Sequence, residues 1–321
     1  MIAGKRLKMG VVGLGSMGQN HARIASHHQL VQELFVFDQD AVRAEDIAQK
    51  YECTAVGSYE ELLDKVDAVI IASSTLSHYT LAKQALLAGR HCLIEKPITA
   101  TIAEAQEILA LSKEKSCVVA VGHVERYNPV FTELSKILTS EKVLAVTAQR
   151  LSYNLSRAND VSVVLDLMIH DIDTICQIAR SELQVVSAVG QAFRSVTSDF
   201  VSTLLTGGDG AIYNLIASKI SQTRVRSLCI SCEECYIDAD YLKKEIQIFR
   251  HASGKYLDRS QQVGYRQEAL VERVIVPNTE PLLAEHTDFY QAVLNNKDPL
   301  VTAQHGIKAL ELAEEIETKC A

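Results

Sequence analysis

Residues 166–173 read Asp-Leu-Met-Ile-His-Asp-Ile-Asp inside an amphipathic stretch. On a helix, Asp166 and His170 are four apart and share one face. A carboxylate beside an imidazole raises its basicity and fixes its orientation, which suits a general base. The same spacing also makes an ordinary surface ion pair. Lys96, in Glu95-Lys96-Pro97, follows an apolar run. There it could stabilise a developing oxyanion or simply be solvated. Gly13-Leu14-Gly15-Ser16-Met17-Gly18 matches G-x-G-x-x-G. Gly13 permits the tight turn, Gly15 lets a pyrophosphate approach the backbone, and Gly18 lets helix and strand pack closely. The helix that follows, with Ser16 and Met17 in its first turn, faces phosphates with its partial positive charge. Asp38 follows Gly18 by 20 residues. An acid there accepts hydrogen bonds from the adenosine ribose hydroxyls and repels a 2′-phosphate, which favours NAD over NADP. Arg43, close by in sequence, keeps NADP open.

Cys229, Cys232 and Cys235 have the two-residue spacing of part of an iron–sulfur run. Ala239 stands where the fourth Cys would be, and no Pro follows. The segment also alternates like a strand, which turns Cys232 away from its neighbours. No metal is expected.

These groups must be held by an ordered series of elements. Strands at 7–13, 33–38, 67–72, 91–95 and 117–121 alternate with helices at 16–28, 40–51, 77–89 and 100–115, and 59–64 makes a short helical turn. Such alternation predicts a parallel, doubly wound sheet, whose ligands lie at the carboxyl ends of the strands. Both the glycine turn and Lys96 fall at such ends. After about residue 124 the pattern changes. Helices are expected at 129–139 and 161–179, with strands at 143–151, 184–193, 200–205, 210–218, 225–237 and 244–250. Without helices between them, the later strands predict a mostly antiparallel sheet. Residues 251–280 read as loop with one strand at 271–276, followed by helices at 281–295 and 303–319. The expected domains are 1–124, binding the dinucleotide, and 125–321, an α+β domain for substrate and self-association. The last helix has the option of packing back on the first domain.

Composition narrows the class of function. Lys and Arg number 32 against 40 Asp and Glu, a net charge of −8 with no basic cluster, which argues against nucleic acid as a partner. No apolar run reaches the length of a membrane span. The apolar stretch near the N-terminus is cut by Gly10, Gly13 and Gly15 and lacks a cleavage site, so a first strand fits better than a signal peptide. A cytosolic chain is expected, in which the eight scattered cysteines stay thiols.

The phrases GLGSMG, AVIIASSTLSHYTLAKQALLAGRHCLIEKP, VGHVERYNP and VVLDLMIHDID occur in that order, and the chain closes on EPLLAEHTDFYQAVLNNKDPLVTAQHGIKALELA. Together they resemble the glucose-fructose oxidoreductase/inositol dehydrogenase (Gfo/Idh/MocA) family over nearly the whole chain. The resemblance implies an N-terminal Rossmann domain and a C-terminal domain on an open sheet, with substrate bound between them. It also implies a catalytic group of Lys96, Asp166 and His170, a cis bond before Pro97, and a dimer or tetramer. The activity implied is hydride exchange between NAD and a hydroxyl-bearing carbon of a sugar. The family's common Thr-Pro is Ser73-Ser74 here, but His78 keeps its place at the next helix start, where it would line the cofactor cleft. His305 replaces a frequent acidic residue. Within the family, the stretches at 121–129 and 160–173 are most similar to nucleotide-sugar dehydrogenases, those acting on UDP-N-acetylglucosamine among them. On that reading Arg126, Tyr127, Asn128 and Arg157 are substrate-side candidates. Two other readings stand beside it: a free-polyol dehydrogenase of the inositol type, and a non-catalytic NAD or sugar sensor. A sensor has no need of Lys96, Asp166 and His170 together.

Overall fold

The computed structural model describes residues 5–153, 161–257 and 263–320. The chain divides into two compact units, residues 1–127 with 279–311, and residues 128–278 with 312–321.

The first unit is built on six strands: β1 (Leu7–Val12), β2 (Val31–Phe37), β3 (Thr54–Ala55), β4 (Ala68–Ile71), β5 (His91–Glu95) and β6 (Val119–Gly122). They pair in parallel in the order β3-β2-β1-β4-β5-β6. All four residues of β4 are fully buried, as a strand covered on both faces requires. The helices are α1 (Ser16–His27), α2 (Ala41–Tyr51), α3 (Tyr59–Lys65), α4 (Thr75–Leu87) and α5 (Ile102–Glu114). Local chemistry sets their starts. Asp40 caps Arg43 N, Ser58 caps Glu61 N, and Thr101 with Glu104 forms a reciprocal capping box. The strand order reverses between β1 and β4, and β1 leads into the glycine turn at that crevice.

The unit is completed from far along the chain. To it belong α8 (Pro281–Asn295) and, as far as Glu311, α9 (Ala303–Cys320). Phe289 and Tyr290 of α8 are wholly buried in the cluster that holds Met9, Val11, Leu14 and Val36. Val121 N donates to Val301 O, and Ala120 bridges Thr302, so the segment before α9 pairs with β6.

The second unit contains α6 (Pro129–Leu138), β7 (Val143–Tyr153), α7 (Ile169–Ile178), β8 (Leu183–Gln191), β9 (Phe200–Gly207), β10 (Ile212–Ser218), β11 (Ile220–Cys232), β12 (Cys235–Asp240), β13 (Glu245–Leu257) and β14 (Val263–Val274). The eight strands form one sheet in the order β14-β13-β12-β11-β7-β10-β9-β8. Only β7 and β10 run parallel; every other pair is antiparallel. One face is a core: the register sets Tyr213, Val146, Ile230 and Ile237 in one buried row, and α7, with Ile172 and Ile175 fully buried, packs against β7. The register sets Ile212, Ala145, Ser231 and Tyr236 in one row on the opposite face, where Ile212 and Tyr236 stay exposed.

Three expectations change. Residues 225–237 are not one strand but the end of β11, a turn at Glu233 and Glu234, and the start of β12. Residues 251–280 are not mostly loop, because β13 runs on to Leu257 and β14 begins at Val263. Their sequences are too polar to announce strands, yet the hairpin satisfies their backbone groups along its length. The stretch 161–179 is not one α-helix. A π-helical turn, Val164–Met168, precedes α7, and Ile169 N–H reaches back five residues to Val164 O. No helix of the described residues is long and apolar enough to cross a membrane.

Candidate active site

The β1–α1 turn has the steric signature that its glycines suggested. Gly13 sits at φ +82°, and a Cβ there would lie 2.5 Å from Ser73 Cα. A Cβ on Gly18 would lie 1.8 Å from Gly13 O, so α1 can approach β1 only with glycine at that position. A Cβ on Gly15 would meet nothing within 4 Å. The turn is therefore closed below Gly13 and Gly18 and open above Gly15, the side a pyrophosphate needs. Ser16 and Met17 are exposed beside it on the first turn of α1, which carries no acidic residue.

A cleft of 460 Å³ opens here, lined by Gly13, Gly15, Asp38, Arg43, Ser73 and Ser77 among others. Asp38 is more than a rim acid. Its Oδ2 accepts Leu14 N at 2.6 Å and its Oδ1 accepts Asp40 N at 2.9 Å, so it braces the glycine turn itself. Arg43 leans on the same carboxylate at 3.2 Å and on Asp40 at 3.2 Å. Arg43 Nη1 reaches both oxygens, at 3.2 and 3.4 Å, and with Leu14 N and Asp40 N it fills the carboxylate's roughly four lone-pair directions, so ribose hydroxyls would bind in the place that Arg43 holds. The open space over Gly15 and this acid fit an NAD molecule.

His78 does not line the cleft. It is buried, with Nδ1 against Pro97 O at 2.9 Å and Nε2 against Ser73 O at 3.2 Å, and so ties the turn after β4 to the one after β5. Burial pushes its imidazole below the usual range, although the carbonyls favour the proton. The Lys96–Pro97 bond is cis, as the resemblance implied, and Lys96 is half-buried.

Glu95 is also turned inward. Its Oε1 meets His21 Nε2 at 2.9 Å, and its Oε2 accepts the backbone N–H of Lys96 at 3.1 Å. The chain of contacts runs on from His21 Nδ1 to His286 Nε2 at 2.8 Å, and from His286 Nδ1 to Tyr290 Oη at 2.9 Å. Burial would push the Glu95 carboxyl up, but the His21 bond and charge and the neighbouring Lys96 hold it below the usual carboxylate range. His286 is driven well below the ordinary imidazole range by burial and by the charges of its neighbours, so it is the neutral member.

Beside this network lies Glu285, buried, with no partner for either carboxyl oxygen among the described residues. Burial and the charges of Glu95 and Asp288 push its carboxyl well above the usual range. The folded chain therefore holds a proton that the unfolded chain releases. Stability is greatest below the unfolded value and falls as pH rises toward the folded one. Glu285→Gln should melt like the parent near about pH 4 and progressively higher than it toward about pH 8. Thermal melts across that range check this, and a variant that melts lower at the alkaline end overturns it.

In the second unit, Asp166 lies on the π turn and His170 on the first turn of α7. Asp166 is not a plain surface partner for His170. Its Oδ2 pairs with Lys219 Nζ at 3.0 Å, and the Lys219 side chain is only 4 % exposed. Next to His170, Asp171 takes a two-pronged bond from Arg150 of β7, at 2.9 and 2.8 Å, with both side chains buried. Reading the sequence missed both cations. Arg150 takes an inward position in an alternating strand, after Val146 and Ala148, which is the cue that could have found it, whereas Lys219 at a strand end offers none.

The substrate-side candidates divide. Arg126 is buried in the 3-10 turn Val124–Tyr127. Tyr127 donates its hydroxyl to Asp288 at 2.8 Å, and Asn128 caps α6 through Val130 N at 3.0 Å, so both have structural tasks. Arg157 lies outside the described residues. Cys229 and Cys232 fall on β11 and Cys235 on β12, with Cys229 Sγ beside Asp238 at 3.7 Å.

Residues 7–123 match the family model described as an oxidoreductase family with an NAD-binding Rossmann fold, and residues 142–238 match the GFO/IDH/MocA C-terminal domain. The UDP-N-acetylglucosamine 3-dehydrogenase of Acidithiobacillus ferrooxidans is 31% identical over 311 residues, 97% of this chain and 96% of that protein. A solved structure of that dehydrogenase superposes with a TM-score of 0.89 at 29% identity, covering 98% of this chain and 97% of the other. The inositol 2-dehydrogenase of Salmonella typhimurium is 30% identical over 190 residues, 56% of each chain.

Proposed function

The chain belongs to the Gfo/Idh/MocA family of oxidoreductases, and from that premise we propose that it is an NAD-dependent dehydrogenase of a nucleotide-linked sugar. The observation that carries this reading is the extent of the likeness to the UDP-N-acetylglucosamine enzyme, which spans both units, whereas the likeness to the inositol enzyme spans about half the chain.

On this reading the chemistry falls to Lys96, Asp166 and His170, the catalytic group that the family resemblance implies. When bound, NAD supplies the hydride acceptor at its nicotinamide ring. Gly13, Gly15, Gly18 and the first turn of α1 receive the pyrophosphate, and Asp38 receives the adenosine ribose. A neutral ring nitrogen of His170 takes the substrate's hydroxyl proton, and Asp166 orients that ring. Lys96 donates a hydrogen bond to the same oxygen and stabilises the charge that develops there. Asp38 excludes a 2′-phosphate; Arg43, already committed to Asp38 and Asp40, offsets this only in part.

One matrix of thermal-shift assays tests substrate and cofactor together, because a ligand that binds only the native state raises its melting temperature. NAD should shift the protein more than NADP, UDP-N-acetylglucosamine should add to the NAD shift, and free sugars or inositol should not. Asp38→Ser should narrow the NAD–NADP gap. A larger shift with NADP, or a response to inositol but not to the UDP-sugar, overturns the reading.

The apolar residues exposed on the open face of the sheet, Val189, Leu204, Ile212 and Tyr236, support a homodimer or a dimer of dimers. Sedimentation at micromolar concentration should give a multiple of 35.3 kDa. A monomer alone overturns it.

A further inference from the structure

Lys219 occupies the corner between β10 and β11, where Ser218 ends one strand and Ile220 begins the next. The residue is 3 % exposed. Its backbone N donates to Asp199 O at 2.8 Å, and the Asp199 carboxylate in turn gathers the N–H groups of Phe193, Arg194 and Ser195, so the corner is anchored at its base. The ammonium donates to Val161 O at 2.7 Å and pairs with Asp166 Oδ2 at 3.0 Å. A lysine is rarely buried unless a charge answers it, and here the answering charge is a residue of the candidate catalytic group.

We propose that Lys219 is a positioning residue for the hydride transfer: it fixes Asp166 on the π turn and cancels its charge beside His170. This rests on the reading above that Asp166 and His170 act on substrate.

The charges around His170 explain why such cancellation matters. Its own segment carries Asp166, Asp171 and Asp173, and a negative charge left unbalanced near an imidazole favours its protonated form. A protonated ring cannot accept the substrate's proton. Lys219 meets Asp166 at the β10–β11 corner and Arg150 of β7 meets Asp171, so these two negative charges are matched. Asp173 is itself buried. Asp199 is consumed by its own turn, and Glu317 of α9 takes the Ser162 hydroxyl. The π turn puts Asp166 opposite the β10–β11 corner, and the extra residue of that turn gives the segment its two separate anchors. A straight α-helix would carry Asp166 round with it.

The test needs Lys219→Met, Lys219→Arg, Asp166→Asn and the double variant Lys219→Met/Asp166→Asn, with His170→Ala as reference. The first readout is the titration of His170 by NMR of histidine-labelled protein, its signal assigned by loss in His170→Ala; it requires no substrate. The second is kcat and KM against pH with NAD and UDP-N-acetylglucosamine. Lys219→Met should move the His170 titration, and with it the acid limb of the kcat profile, upward by about one pH unit. KM for NAD should hold. Lys219→Arg should stay near the parent, and the His170 titration of the double variant, though not its turnover, should return toward the parent's, because removing both charges restores the balance. If Lys219→Met does not fold, Lys219→Gln takes its place, with the same upward shift expected and a parent-like titration overturning the proposal. A parent-like titration in Lys219→Met, or effects of Lys219→Met and Asp166→Asn that simply multiply, overturns the proposal. If the titration moves as described but His170→Ala keeps its turnover, the charge balance stands and the reading of the site falls.

Discussion

His170→Ala should lose turnover by a factor of about 10²–10⁴, the usual cost of removing a general base, while binding NAD as the parent does. The cofactor cleft is built from β1, β2 and β4 and the turns that follow them, and no atom of His170 belongs to it. Lys96→Ala should lose a similar factor, because a cation aimed at the reacting oxygen matters most when negative charge has developed there. Asp166→Asn should be damaging but less so: it disturbs the orientation of His170 without removing the ring. In the direction of alcohol oxidation the parent's rate should rise with pH through the titration of His170, since only the neutral ring accepts a proton. Steady-state NADH formation by the variants across pH is the measurement. Near-normal turnover in both His170→Ala and Lys96→Ala would remove the site assigned here.

Gly15→Ala and Gly18→Ala should fail in opposite ways. The added methyl at Gly15 meets no protein atom, so the variant should fold with the parent's melting temperature. The same methyl stands where the pyrophosphate must come closest to the backbone, and NAD affinity should drop by more than about tenfold, the factor that corresponds to 1.4 kcal/mol. At Gly18 the methyl would overlap the carbonyl oxygen of Gly13, a backbone atom that cannot swing aside. That variant should lose stability even without cofactor, since α1 must be pushed off β1 and the contacts of Ala22 and Ala25 with the sheet go with it. Circular dichroism melts and NAD titrations of both variants separate the two effects. A stable Gly18→Ala that binds NAD normally would show that the turn has more freedom than its geometry allows.

Much of the first unit is legible from residues close together in the chain. The glycine spacing, the acid at the end of β2 and the strand–helix alternation are local patterns. Each is enforced by sterics or hydrogen bonding within a few residues, or by a period that burial on both faces imposes. The eight-stranded sheet is only partly legible for the same reason. Its central strands, the first half of β13 and the end of β14 announce themselves, but residues 251–257 and 263–270 are polar in sequence and pair because each satisfies the other's backbone. Likewise, nothing in residues 160–173 distinguishes a π turn from an α-helix, since one extra residue in a turn is selected by what the segment packs against.

The charged groups lie furthest from sequence reading. Asp166 can be singled out by its spacing from His170, but Lys219 is 53 positions away and looks like a strand-end lysine until β7 and β10 are paired and the corner is closed against the π turn. His21, Glu95 and His286 come from α1, the end of β5 and α8, separated by as many as 265 positions. Sequence by itself determined where a dinucleotide can approach the backbone and which side chains are candidates for the chemistry. Tertiary structure decided which charges are paired, because in a buried site the cost of an unmatched charge is met by whatever residue the fold brings within hydrogen-bonding distance, regardless of its distance along the chain.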